Sequence, residues 1–238
     1  FFVFFDEVQY LRDWERHLKS LVDSYPGARI LVSGSAAAAL RMKSTESGAG
    51  RFTDFLLPPL TFYEYLTITG QERGISVGDD LLFPNLSIKN DTGFSALNSL
   101  FLDYINFGGY PEAALSEKIQ SDPGRFIRSD IVDKVLLRDL PSLYGIQDIQ
   151  ELNRLFTSLA YNTGNEVSLE GLPKNSGVSK NTLRKYIEYL EAAFLIRTVH
   201  RVDRNARQFK RANTFKVYLT NPSMRSALFS PVAADDYS

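Results

Sequence analysis

Apolar residues recur along the chain in two rhythms, beginning with an unbroken run, FFVFF, that ends at Asp6 and Glu7. A run this short cannot cross a bilayer or form a signal-peptide core. It reads as a strand buried on both faces, the usual state in a parallel sheet covered by helices. The second rhythm is helical: Trp14, Leu18, Leu21 and Val22 in DWERHLKSLVDSY stand at i, i+4, i+7 and i+8 and stop at Pro26-Gly27. Another apolar strand, ARILVSGS, follows. Strand, helix, strand over about thirty residues predicts a parallel crossover unit. Asp6-Glu7 and Ser33-Gly34-Ser35 then close neighbouring strands at one sheet edge, the edge at which open α/β sheets bind ligands.

Further along, SAAAALRMKS predicts a helix, TESGAG a loop and RFTDFLL a short strand stopped by Pro58-Pro59, with a helix beginning at Thr61. Residues 70–92 are polar and turn-rich, which predicts a linker or inserted loop. Helical patterns resume in FSALNSLFLDYINFG, stop at Gly108-Gly109-Tyr110-Pro111 as a helix end with turn geometry, and continue through RFIRSDIVDKVLLRDLPSLYG. From Asp148 the pattern is that of a small separate domain: a helix at ELNRLFTSLAYN, a short helix in LEGLPKNSG, and a helix N-capped by Ser179. Leu183, Tyr186, Ile187, Leu190 and Phe194 form the apolar face of that last helix. A strand hairpin follows, and the order predicts a winged helix-turn-helix.

Composition narrows the function classes. With 238 residues and 44% hydrophobic content there is material for one large or two ordinary cores. The absence of cysteine excludes disulfides and thiolate metal sites, and two distant histidines, His17 and His200, argue against a histidine metal site. They read as a helix-surface residue and a strand residue. A soluble cytoplasmic protein with no membrane partner is expected. The net charge of −1 hides a strong asymmetry, since Lys174 to Lys216 hold eleven Lys/Arg against three acids, a net of +8, leaving −9 elsewhere. Such a block suits a polyanionic partner, although basic stretches are also found as plain solvated surface.

The candidate chemistry lies at the predicted sheet edge. An Asp-Glu pair closing a buried strand suits ATP hydrolysis, because one carboxylate can join a magnesium shell and the second can orient or deprotonate water. Many strands end in two acids without chemistry, so the neighbours matter. Ser33 and Ser35 could sense a γ-phosphate, and Arg51, after the flexible Gly48-Ala49-Gly50, could stabilise transition-state charge or be an ordinary loop arginine. In the basic region Lys180, Asn181, Arg184 and Lys185 share the polar helix face, and Arg201, Arg204, Arg207, Lys210 and Arg211 lie in the hairpin. The first group could enter a DNA groove while the second meets phosphates, with backbone attraction favoured over base reading. Docking to a protein is the alternative. Phe52, Phe55, Phe62, Tyr63 and Tyr65 read as packing between elements rather than a base-stacking platform.

Taken in order, FFVFFDEVQYLRDWERHLKSL, ILVSGSAAAAL, AGRFTDFLLPPLTFYEYL, FGGYPEA, DIVDKVLLRDL, VSKNTLRKYIEYLEAAFLIRTV and FKVYLTNPSMRSAL are similar to segments of a known family. The chain resembles the AAA-type P-loop ATPases of bacteria and archaea that join an ATPase core to a winged helix and a C-terminal domain of unknown function. The resemblance implies an α/β fold with three parts. Residues 1–69 would form the C-terminal part of an incomplete P-loop NTPase-like parallel-sheet core, 70–147 a linker and helical segment, and 148–238 a winged-helix domain with a basic hairpin and tail. The first segment resembles a Walker B strand and the second a sensor-1 strand. This implies ATP and Mg2+ as cofactors of the parent protein, with Asp6 in the magnesium site, Glu7 activating water, Ser35 or Ser33 as sensor 1 and Arg51 as an arginine finger. Duplex DNA or another protein would be the partner.

Two departures from the family shape the expectation. A Walker A loop, G-x-x-x-x-G-K-[ST], would precede Phe1 in this topology, and the chain contains no Gly-Lys dipeptide. The 238 residues are therefore expected neither to bind ATP tightly nor to hydrolyse it, and to be a fragment of a longer protein. The family also usually continues into a restriction-endonuclease-like domain after the segment matched here, whereas the tail with Asp235-Asp236 has no Glu-x-Lys and reads as disorder. A non-catalytic winged-helix DNA-binding or protein-interaction module on a degenerate ATPase scaffold is the rival reading.

Overall fold

Strand β1 (Phe2–Phe5) and strand β2 (Arg29–Val32) pair in parallel, from Phe2 opposite Arg29 to Phe5 opposite Val32, with helix α1 (Trp14–Ser24) as the crossover. This is the strand-helix-strand unit that the apolar pattern predicts. The computed structural model describes residues 1–11, 13–34, 53, 55, 57–72, 75–77, 86–88, 91–172, 178–202 and 213–233. The predicted helix at 35–44, the short helix expected within 169–177, most of the hairpin turn and the acidic tail lie largely outside them.

In chain order the later elements are α2 (Phe62–Ile68), β3 (Ile75–Val77), β4 (Leu86–Ile88), α3 (Asp91–Asp103), α4 (Pro111–Leu115), α5 (Glu117–Gln120), α6 (Pro123–Phe126), α7 (Leu140–Tyr144), α8 (Ile149–Tyr161), β5 (Glu166–Ser168), α9 (Lys180–Ala192), β6 (Ile196–His200), β7 (Thr214–Leu219) and α10 (Pro222–Leu228). Tyr104–Gly108, Ile127–Asp133 and Val135–Asp139 are π-helical. Packing divides the chain into one unit of Phe1–Leu57 with Asp133–Thr220 and another of Pro58–Val132 with Asn221–Ser238.

In the first unit, Val8, Trp14 and Leu18 form a buried cluster against Phe5, Ile30 and Val32. Alternation in the two strands aims the remaining side chains the other way, where Phe2, Phe4 and Leu31 are 66%, 68% and 60% exposed. The expectation of a strand buried on both faces is thus corrected. Helix α1 covers one face, and β2 is the only strand paired with β1 among the described residues.

The same unit holds an antiparallel sheet of order β5-β7-β6. Helix α8 begins where the Asp148 carboxylate accepts the Glu151 amide at 2.9 Å and buries Leu152, Leu155, Phe156 and Leu159. Helix α9 is capped by the Ser179 hydroxyl, which accepts the Thr182 amide at 3.3 Å, and buries Leu183, Tyr186, Ile187 and Leu190. Each such side chain contributes about 2 kcal/mol on burial. Phe194, expected on that apolar face, instead lies past the helix end with φ 57, and Leu195 donates back to the Leu190 carbonyl at 3.0 Å. A left-handed residue with this backward bond ends a helix.

In the second unit, β3 and β4 form a short antiparallel ladder, Ile75 opposite Ile88 and Val77 opposite Leu86, inside the segment expected as a linker. Three-residue strands are too short to show alternation in sequence. The strand expected at RFTDFLL is not formed at its described residues Thr53, Phe55 and Leu57. Helix α2 starts with a capping box between Thr61 and Glu64. Phe62 and Tyr65 pack with Phe101, Tyr104 and Phe107, as the packing reading of the aromatic cluster expects, but Tyr63 and Phe55 are exposed.

Gly108 and Gly109 do more than stop a helix. Gly109 has an ordinary φ of −72, and a Cβ there would fall 2.1 Å from the Asn221 side chain. Its amide donates to the Ser223 hydroxyl at 3.3 Å and its carbonyl accepts the Leu60 amide at 2.8 Å. Close approach, not a left-handed turn, demands glycine at this position.

Candidate active site

The edge where β1 and β2 end is built by the backbone first. The ladder runs on past the strands, with Ser33 donating to the Phe5 carbonyl at 2.8 Å and Val8 to the Ser33 carbonyl at 3.2 Å. Asp6 and Glu7 are thereby folded over the end of β2. The Ser33 hydroxyl donates to Asp6 Oδ1, and the Glu7 amide donates to the same oxygen at 3.0 Å. The structure therefore brings together Asp6 and Ser33, two of the residues singled out from sequence.

Glu7 makes the turn. Its φ of 53 and ψ of 40 put a non-glycine residue in the left-handed region, at a cost of about 1–2 kcal/mol that surrounding contacts must offset. One of these is the burial of Val8 against Trp14 and Leu18. Another is the Glu7 carboxylate, whose Oε1 lies 3.0 Å from Lys134 Nζ. This hydrogen bond is the main reason the Lys134 ammonium is held above the usual lysine range. Both side chains remain about one-third exposed, at 34% and 31%. Solvent screening thus limits the pair to about 0.2–1 kcal/mol.

Beside it, the Tyr10 hydroxyl donates to Asp139 Oδ1 and accepts from Arg138, whose Nη2 is at 2.7 Å and Nε at 3.1 Å. The guanidinium carbon also stands 5.0 Å from the centre of the Tyr10 ring. Asp139 is fully buried, with Arg138 Nε 3.5 Å from its Oδ1, whereas Arg138 is 59% exposed. The loop that carries the acidic pair is thus clasped by residues more than 120 positions away.

Sequence reasoning gave no role to Lys134, Tyr10, Arg138 or Asp139. The available signal was a pair of charges embedded in the apolar run VLLRDL, with Lys134 one helical turn before Arg138. Ser35 and Arg51 lie outside the described residues.

Asp6 fits the donor set of a magnesium ion, which takes one or two carboxylates and completes its shell with phosphate oxygens and water. Among the described residues no group of three or more His, Asp or Glu side chains could hold a metal by itself. No described helix is long and apolar enough to cross a membrane.

On α9, Lys180, Asn181, Arg184 and Lys185 are all exposed, opposite the buried face. Lys180 Nζ is 3.8 Å from Glu170 Oε1, so part of its charge is already answered. Arg201 is exposed just after β6, and Arg204, Arg207, Lys210 and Arg211 fall outside the described residues. His17 is on the surface of α1, and His200 is an exposed residue of β6 with its ring 5.7 Å from that of Phe215.

Comparison with known proteins gives two family matches and three relatives. Residues 98–234 match the family model of a domain of unknown function, DUF8612. Residues 1–66 match that of an AAA domain, an ATPase-like scaffold consistent with the small parallel sheet. An uncharacterized protein of Methanocaldococcus jannaschii is 27% identical over 206 residues, covering 82% of this chain and 42% of that protein. An uncharacterized protein of Haemophilus influenzae is 24% identical over 233 residues, covering 94% and 51%. A second from Methanocaldococcus jannaschii is 22% identical over 198 residues, covering 80% and 41%. The chain spans about half the length of the curated relatives it matches. No solved structure matches it.

Proposed function

The chain belongs to the DUF8612 family, whose model covers more than half of it, and from that premise we propose that it is part of an ATPase working at the joint end of β1 and β2. The observation that carries this reading is the contact of Ser33 with Asp6 across the parallel pair, which sets a carboxylate, a hydroxyl and the adjacent Glu7 at one strand edge. In this reading Asp6 would hold Mg2+, which supplies charge neutralisation at the phosphates. Glu7 orients and deprotonates water, and Ser33 or Ser35 hydrogen-bonds the γ-phosphate. Arg51 is the candidate for stabilising charge as the bond breaks.

Residues 1–238 contain no G-x-x-x-x-G-K-[ST] loop, whose backbone amides and lysine form the phosphate cradle. By themselves they are therefore expected to bind Mg-ATP weakly and not turn it over. Isothermal titration checks the first point, and micromolar affinity for the 238-residue chain refutes it. In the full-length protein, Glu7→Gln should abolish turnover while sparing nucleotide binding.

The second part of the proposal is coupling to duplex DNA or a protein through the segment from α8 to β7. The order helix, strand, helix, strand, strand, with β7 between β5 and β6, supports a winged-helix reading. The exposed basic face of α9 favours DNA as the partner. Phosphate contacts predict that binding weakens steeply with salt, and unshifted duplex mobility at low salt and micromolar protein counts against DNA.

A further inference from the structure

We propose that Lys134 is a latch on Glu7, engaging one carboxylate oxygen until the segment Lys134 to Asp139 shifts. The inference rests on the ATPase reading and adds the regulation of that same site. A general base must present a lone pair to the water it deprotonates. Glu7 Oε1 instead accepts a hydrogen bond from the Lys134 ammonium at 3.0 Å, which occupies a lone pair that a water would otherwise meet. Lys134 is therefore a brake on the reaction, not a participant in it.

Three features make this a device rather than a chance surface pair. The loop is shaped for it, since Glu7 reaches the lysine from a left-handed backbone conformation that its surroundings must sustain. The lysine is delivered on an anchored element: Tyr10, three residues from Glu7, is clasped by Arg138 and by the buried Asp139, four and five residues beyond Lys134. Between lysine and anchor, Val135–Asp139 is π-helical, a wound form common at functional sites. Relaxing one π turn to α geometry moves the register by one residue, about 100° around the axis, which would swing Lys134 off Glu7 while Asp139 stays seated.

The strength of the pair suits a latch. Partly exposed ion pairs shift equilibria by about 1.5- to 5-fold, enough to bias the site and little enough for a bound nucleotide or partner to overcome.

Two measurements test it. In the 238-residue chain, acetic anhydride labelling read by mass spectrometry should acylate Lys134 about two- to five-fold more slowly than in the Glu7→Gln variant. Equal rates overturn the latch whatever the enzymology. In the full-length protein, Lys134→Met should raise ATP turnover by about two- to five-fold, a direction that mere structural damage does not produce. Loss of turnover with Glu7→Gln but no gain with Lys134→Met overturns the latch and leaves the ATPase reading standing. Turnover retained in Glu7→Gln overturns the ATPase role of Glu7 and, with it, the latch as its regulator.

Discussion

Replacing Tyr10 by Phe removes a single hydroxyl from the loop that carries Asp6 and Glu7. That hydroxyl donates to the fully buried carboxylate of Asp139 and accepts from Arg138 at 2.7 and 3.1 Å. A hydrogen bond to a charged group contributes about 1.5–3 kcal/mol, and leaving a buried carboxylate short of a donor is the costly part. Asp139 keeps Arg138 Nε at 3.5 Å, so it is not stripped of partners, and the expected loss is about 2 kcal/mol. The single tryptophan, Trp14, is 4% exposed in the core beneath this loop, which makes its fluorescence a local reporter of unfolding. With a urea dependence of about 1–3 kcal/mol per molar, the midpoint should fall by roughly 1 M. The control is Asp139→Asn, which keeps the volume and removes the charge. If the clasp is real, Tyr10→Phe should cost about 1 kcal/mol less in the Asn background than in the wild type. A loss below about 0.5 kcal/mol in the wild type, or an equal loss in both backgrounds, refutes the reasoning.

Gly109→Ala places a Cβ 2.1 Å from the Asn221 side chain, whose oxygen also caps α10 by accepting the Ser223 amide at 2.8 Å. Overpacking and a lost cap together predict about 2–4 kcal/mol of destabilisation, largely relieved by adding Asn221→Gly; an unchanged melting temperature refutes it. Thr61→Ala should cost about 1 kcal/mol at pH 7 through loss of the α2 capping box. The backbone and side-chain hydrogen bonds of Thr61 hold the Glu64 carboxyl below its ordinary value. A depressed folded value stabilises above the unfolded one, about 4.3, and is lost as pH falls through the folded one. The Thr61→Ala penalty should therefore shrink at pH 3, and equal penalties at both pH values contradict it. If α9 meets DNA, Arg184→Glu and Lys185→Glu should each weaken binding and lower the salt slope by about one unit, whereas an unchanged slope argues for a protein partner.

Much of the ATPase-like edge is legible without coordinates. Two apolar strands around an amphipathic helix leave little choice but a parallel pair, and a parallel pair must end both strands on the same side. The meeting of Asp6 with Ser33 follows from that topology. The clasp does not: Tyr10 and Asp139 are 129 positions apart, and no periodicity links the 3-10 turn Val8–Tyr10 to the π-helical segment Val135–Asp139. Nor does composition say that Glu7 turns through the left-handed region, since that depends on where the next buried residue, Val8, has to go.

Local pattern determined the helices α1, α8 and α9, the cap at Ser179, and the parallel order of β1 and β2, because each depends on periodicity or on neighbours a few residues away. Tertiary structure alone decided which face of β1 is covered, why Gly109 must lack a Cβ, and that Lys134 rests on Glu7. An all-apolar strand reads the same whether one face or both are packed, and a glycine reads the same whether it turns the chain or makes room for Asn221. A lysine on a helix carries no mark in sequence of the carboxylate that the fold brings to it.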